Sequence, residues 1–135
     1  MRMTAATNGA LRILIACGGR AAMTMPEMSQ TLGLAEALVV KICHQLMQAG
    51  YLVGRRGRGG GYRLAIPAQH VGAMEVIDLF EGRASLFPCR LHDNGECRIV
   101  EFCNLRKACE RAYAAFRSEL ASLTIADLSL DDIPA

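Results

Sequence analysis

Between residues 51 and 65 the chain has few ways to fold. Tyr51-Leu52-Val53 and Tyr62-Arg63-Leu64-Ala65 are short runs of strand-forming residues, with Arg55-Arg56-Gly57-Arg58-Gly59-Gly60-Gly61 between them. So many glycines make a turn, so the two runs are predicted to fold back as a β-hairpin with a basic, glycine-rich tip. Glycine lets the backbone lie close to a surface, and arginine supplies charge to that surface.

The residues before the hairpin read as helices. Thr4 to Cys17 carries Ala10, Ile13, Leu14 and Cys17 at helical spacing, and Gly18-Gly19 stops it. Thr24 and Pro26 open a short helix, Pro26 to Thr31, that ends near Gly33. A longer helix follows from Ala35 to Ala49, with Leu38, Ile42, Leu46 and Met47 facing inward and Gly50 as a left-handed stop. Short helix, glycine-containing turn, longer helix is the helix-turn-helix pattern, and a basic hairpin after it makes a winged helix. The expected DNA contacts are Ala35, Glu36, Leu38 and Lys41 on the longer helix and Arg55, Arg56, Arg58, Gly59 and Gly60 in the wing. Charge agrees. Residues 1–63 hold eight Arg/Lys against two acids, and residues 64–135 hold seven against eleven. A polyanion-binding face is therefore expected on the first half only.

Beyond Pro67, residues 71–80 read as another helix, with Val71, Met74, Ile77 and Phe80 on one side. From Asn104 a long amphipathic helix places Leu105, Cys109, Ala112, Phe116, Leu120 and Leu123 on one stripe. Arg106, Lys107, Arg111, Arg117 and Glu119 fall on the other face. A helix of this kind at the end of a small DNA-binding chain points to a homodimer. Thr124 to Leu128 reads as a short capping turn, and the acidic Asp127, Asp131 and Asp132 as a frayed tail.

Between the last two helices lies a polar segment with three thiols, Cys89, Cys97 and Cys103, spaced Cys-x7-Cys-x5-Cys. A loop with no core of its own needs something to order it, and a metal or cluster is the natural choice. Zinc would require a fourth ligand, which Cys109 or His92 could supply. Cys109 lies about 240° around the helix from Cys103 at the usual pitch, so it reads as a core residue. Cys17 and Cys43 read as buried small hydrophobes, His44 and His70 as surface or capping residues. The glycine run 57–61 has no Gly-Lys-Ser/Thr after it, so it is no nucleotide loop.

Taken together, the chain resembles the Rrf2 family of bacterial winged-helix regulators, which includes IscR-, NsrR- and RirA-type sensors. The residues that carry the resemblance are Met1-Arg2-Met3-Thr4 with Thr7 and Arg12, Lys41-Ile42, Ala49-Gly50-Tyr51-Leu52 and the wing from Arg56 to Leu64. The three loop cysteines and Leu123-Thr124-Ile125-Ala126-Asp127-Leu128 complete it. The resemblance implies a homodimer that binds a near-palindromic operator and represses, with a 4Fe–4S or 2Fe–2S cluster on Cys89, Cys97 and Cys103. In relatives the fourth ligand is a side chain near the start of the first helix or a loop histidine. The matching residues here are Asn8, which is not a carboxylate, and His92. The long first cysteine gap and Asn8 are more similar to RirA than to NsrR.

The expected fold is mostly α with a small β-hairpin: a winged helix-turn-helix at 1–82, a cysteine-rich cluster-binding loop at 83–103, a dimerisation helix at 104–123 and an acidic tail at 124–135. The expected function is an iron–sulfur-controlled transcriptional regulator sensing iron or cluster status or nitric oxide, with no enzymatic role. The competing readings are a zinc-stabilised regulator without cluster sensing, an iron–sulfur carrier, and a thiol enzyme. The last is opposed by the lack of a Cys-x-x-Cys pair. Leu14-Ile15-Ala16-Cys17 mimics a lipoprotein cleavage box, but Asn8 and Arg12 interrupt the apolar stretch before it. No run is apolar enough to span a membrane, so a cytoplasmic protein is expected.

Overall fold

The computed structural model describes residues 3–82, 99 and 102–129. Among these, five α-helices and one antiparallel hairpin run in the order α1 (Ala5–Gly18), α2 (Met25–Leu32), α3 (Glu36–Gln48), β1 (Leu52–Arg55), β2 (Gly61–Leu64), α4 (Ala73–Glu81) and α5 (Asn104–Ala121). A 3-10 turn at Ala68–His70 precedes α4.

Each boundary has a local cause. The Thr4 hydroxyl accepts from the Thr7 N–H and starts α1. Thr24 and Glu27 form a reciprocal capping box at α2, with Pro26 in the first turn. Gly33 ends α2 in the left-handed region at φ 62°. The turn into α3 is locked by Leu34 N–H donating to the Ser29 carbonyl at 3.1 Å and the Ser29 hydroxyl donating to the Leu34 carbonyl at 2.7 Å. The hairpin pairs Leu52 with Leu64 and Arg55 with Gly61. Met23 adds a third, one-residue strand by exchanging two backbone hydrogen bonds with Tyr62, at 2.9 and 2.7 Å. Gly61 makes this approach feasible, because a Cβ there would lie 2.8 Å from the Met23 carbonyl oxygen.

The core is aliphatic, in keeping with a chain that has no tryptophan and only 5% aromatic residues. Ile13, Leu14, Met28, Val39, Ile42, Cys43, Leu46, Val71, Val76 and Ile125 are fully buried. α3 packs Val39, Ile42, Cys43 and Leu46 inward. Met47, expected inside, lies at the exposed margin. Its place is taken by Val39 and Cys43, which the helical pitch brings onto the Ile42–Leu46 face.

Three expectations for the second half need correction. Cys109, read as a core residue, is only partly buried and lies on the α5 stripe whose Leu105 is 64% exposed, so within the chain it is not part of the core. Arg117, expected on the solvent face, reaches back to α4 and makes a two-pronged ion pair with Asp78 at 2.6 and 2.7 Å. It also lies 5.7 Å from the Tyr113 ring centroid. The reason is that α4 is the neighbour of α5 in the same chain, and α4 offers it a carboxylate. Nor is Asp127 frayed. Its carboxylate accepts from the Thr124 N–H and hydroxyl, while Ile125 is buried and donates its N–H to the Val71 carbonyl at 2.9 Å. Residues 130–135, the rest of the expected tail, lie outside the described residues.

Candidate nucleic-acid interface and cysteine site

The core face of α3 leaves an opposite stripe in water. Ala37, Val40, Lys41, His44 and Gln48 recur at three and four residues and are all exposed, Val40 to 47%. Ala35 caps the helix by its backbone alone, and Ala35 and Glu36 are exposed. Leu38 is half-buried and packs against the core. Ala37, Val40 and His44 are not among the DNA contacts expected from the sequence, although their spacing from Lys41 holds the signal.

In the wing, Arg55, Arg56, Arg58 and Gly59 are exposed and Gly60 is half-buried. Among the described residues no carboxylate pairs with the three arginines. Only two acids precede residue 64, and one of them is already engaged. Hydrogen bonds from the Thr24 backbone and side chain hold the Glu27 carboxyl below its ordinary range. The basic surplus of the first half is therefore left open to solvent and to anions.

The cysteine segment leaves α4 at Gly82 and returns at Cys103. Cys89, Cys97 and His92 lie outside the described residues, so Cys103 alone can be placed. It is the N-cap of α5, and its sulfur accepts from the Arg106 N–H at 3.5 Å. The sulfur sits at a helix N-terminus, facing the backbone N–H groups of the first turn. Cys103 thus fits a role in holding a metal or cluster.

Asn8 is exposed on α1, one turn past Thr4. Close to it is a contact that no sequence pattern reveals. Glu81, the last residue of α4, accepts hydrogen bonds from the Thr7 hydroxyl and from the Thr4 N–H, the latter at 2.7 Å. The Thr7 bond, then the Thr4 bond, holds the Glu81 carboxyl below its ordinary range. The start of α1 is thereby tied to the point where the cysteine segment begins. Cys17 and Cys43 are buried as expected, their thiols pushed up to about 12 and about 11, in both cases chiefly by desolvation. They are inert packing groups. Among the described residues no helix is long and apolar enough to cross a membrane.

A helix-turn-helix with an adjoining basic hairpin defines the winged helix-turn-helix class. The Rrf2 family, described as "Iron-dependent Transcriptional regulator", matches residues 3–131. The chain belongs to that family. It is 34% identical over 130 residues to "Protein aau3" of Rhizobium meliloti (strain 1021), covering 95% of this chain and 84% of that protein. Among solved structures it is similar to the oxidised form of Staphylococcus aureus CymR, with 21% identity, a TM-score of 0.73 and full coverage of both chains. It is also similar to T. potens IscR, with 18% identity and a TM-score of 0.74 over 95% of this chain and 85% of that one. At these identities the two structures speak to the fold.

Proposed function

We propose that the chain is a homodimeric DNA-binding repressor acting in the cytoplasm, whose operator affinity is set by an iron–sulfur cluster held by Cys89, Cys97 and Cys103. The observation that carries the DNA half is the uncovered stripe of α3 beside wing arginines with which no carboxylate among the described residues pairs. Glu36, Ala37, Val40 and Lys41 would face base edges in the major groove. A carboxylate such as Glu36 can accept from a cytosine amino group, and Val40 can lie against a thymine methyl. Arg56 and Arg58 would reach the neighbouring minor groove or phosphates. Uncovered Ile99, Phe102 and Leu105, at 63%, 79% and 64% exposure, support a second copy against the start of α5.

The cluster half rests on the donor set and on Cys103 at its helix N-terminus. When bound, a 4Fe–4S or 2Fe–2S cluster supplies iron and sulfide that respond to iron supply or nitric oxide. The chain's own part is to link that site to DNA. α4 ends where the cysteine segment begins, joins α1 through Glu81 and joins α5 through Asp78. α1 in turn lies directly on α3, where a Cβ on Gly9 would come 2.7 Å from Ile42 Cδ1. Any change in how the cysteine segment is held bears on both α1 and α5, and by linkage on the DNA geometry the dimer fits.

The test is an anaerobic preparation with iron and acid-labile sulfide counts. Iron matched by sulfide is expected in the parent and should be lost in Cys97→Ala. Bleaching by nitric oxide alone would indicate a nitric-oxide sensor, and bleaching by a chelator an iron sensor. A colourless parent with stoichiometric zinc, or a Cys97→Ala protein with unchanged iron, would refute the cluster.

A further inference from the structure

The sheet has a second face that, apart from Arg55 and Gly59, carries none of the residues assigned above to DNA contact. Leu52, Tyr62 and Leu64 point into or against the core. Strand alternation therefore turns Val53, Arg55 and Arg63 outward, and all three are exposed. The register Val53–Arg63 and Arg55–Gly61 makes the two arginines diagonal neighbours on this face. A hollow of about 280 Å³ opens between them, floored by Gly59, Gly61, Ala21 and Ala22. A second, of about 430 Å³, shares Arg63 and adds Arg20. No carboxylate lines either hollow. Among the described residues none pairs with Arg55 or Arg63. Arg20 is partly engaged, since it adds to the lowering of the Glu27 carboxyl after the two Thr24 hydrogen bonds.

We propose that Arg63 and Arg55, with Arg20 at the rim, form a second phosphate-binding surface that holds the DNA backbone outside the stretch read by α3 and the wing tip. This rests on the DNA-binding reading above. Two observations favour a phosphodiester chain over a single small anion. The hollows adjoin through Arg63, so the charge is spread along the sheet rather than focused on one point. The surface is also continuous with the wing, because Arg55 is followed directly by Arg56. The floor of glycine and alanine lets a backbone approach closely, and arginine forks suit phosphate oxygens. Contacts of this kind position the duplex without reading its sequence.

A labelled duplex of random sequence, titrated over a salt series, tests the surface without knowledge of the operator. Arg63→Ala and Arg55→Ala should each flatten the slope of log affinity against log salt by about one, and weaken binding roughly five- to tenfold at 0.1 M salt. Arg63→Lys should keep the parental slope, since it keeps the charge. Both side chains are exposed, so unchanged melting curves are expected and will confirm intact folds. If the parent binds, Arg58→Ala weakens it and the Arg55→Ala/Arg63→Ala double variant keeps the parental slope, the second surface alone is refuted. If the parent binds no duplex at any salt concentration, both this surface and the DNA-binding reading fall.

Discussion

Two pairs of thiols in this chain have opposite fates, and burial separates them. Cys17 and Cys43 lie in the core, where loss of hydration raises their thiols to about 12 and about 11. Cys103 and Cys109 are half-buried on α5. A thiol reagent applied to apo protein at pH 8 should therefore modify Cys103 and Cys109 well before Cys17 or Cys43, read by mass spectrometry of the peptides; early labelling of Cys17 would contradict the packing. Stability should follow the same logic. Below the ordinary thiol pKa of about 9 both folded and unfolded chains keep these protons. Above it the unfolded chain gives them up while the folded chain retains them, so unfolding becomes easier as pH rises from about 9 towards the folded values. Urea midpoints that stay flat over that window would show the two thiols to be solvated.

At the scale of elements, α4 is the hub. It holds α1 through Glu81 and α5 through Asp78, and the cysteine segment departs from its end. Arg117→Met should loosen α5 without unfolding the helices before it: faster amide exchange over 104–121, and a melting temperature lower by about 3 °C. Unaltered exchange there would mean that the ion pair does not anchor α5. The boundaries of α1, α2, α3 and the hairpin were legible in the sequence because each is written locally, in Thr4, in the Thr24–Glu27 box, in Gly33, in Gly50 and in the glycines of the wing. The interior face of α3 was legible apart from Met47, which lies at the margin of the apolar stripe, where periodicity decides least. Asp78–Arg117 and Thr7–Glu81 were not legible. They join residues 39 and 74 positions apart, and a charged residue on a helix reads the same whether it meets water or a distant partner. The return of Ile125 into the core was hidden likewise, because acidic neighbours make that segment look solvated.

For the whole molecule, the α5 stripe is the largest feature that one chain leaves unexplained. Leu105 and Phe102 are open, and Cys109, Phe116, Leu120 and Leu123 further along are only partly covered. A second copy would cover them, and pairing two winged helices would set the spacing of two half-sites on DNA. Phe102→Glu/Leu105→Glu should shift the protein to monomer in sedimentation equilibrium and weaken operator binding by more than tenfold; a persisting dimer would place the interface elsewhere. The central claim, that the cysteine site governs DNA affinity, is tested most directly by one anaerobic titration. An operator selected from a random duplex library is bound by the parent protein before and after iron chelation, with Cys97→Ala alongside. A shift of roughly 5- to 150-fold in the parent, absent in Cys97→Ala, is the predicted result. Equal affinity of the loaded and stripped parent would contradict it, leaving a DNA-binding protein whose cysteines do not control it.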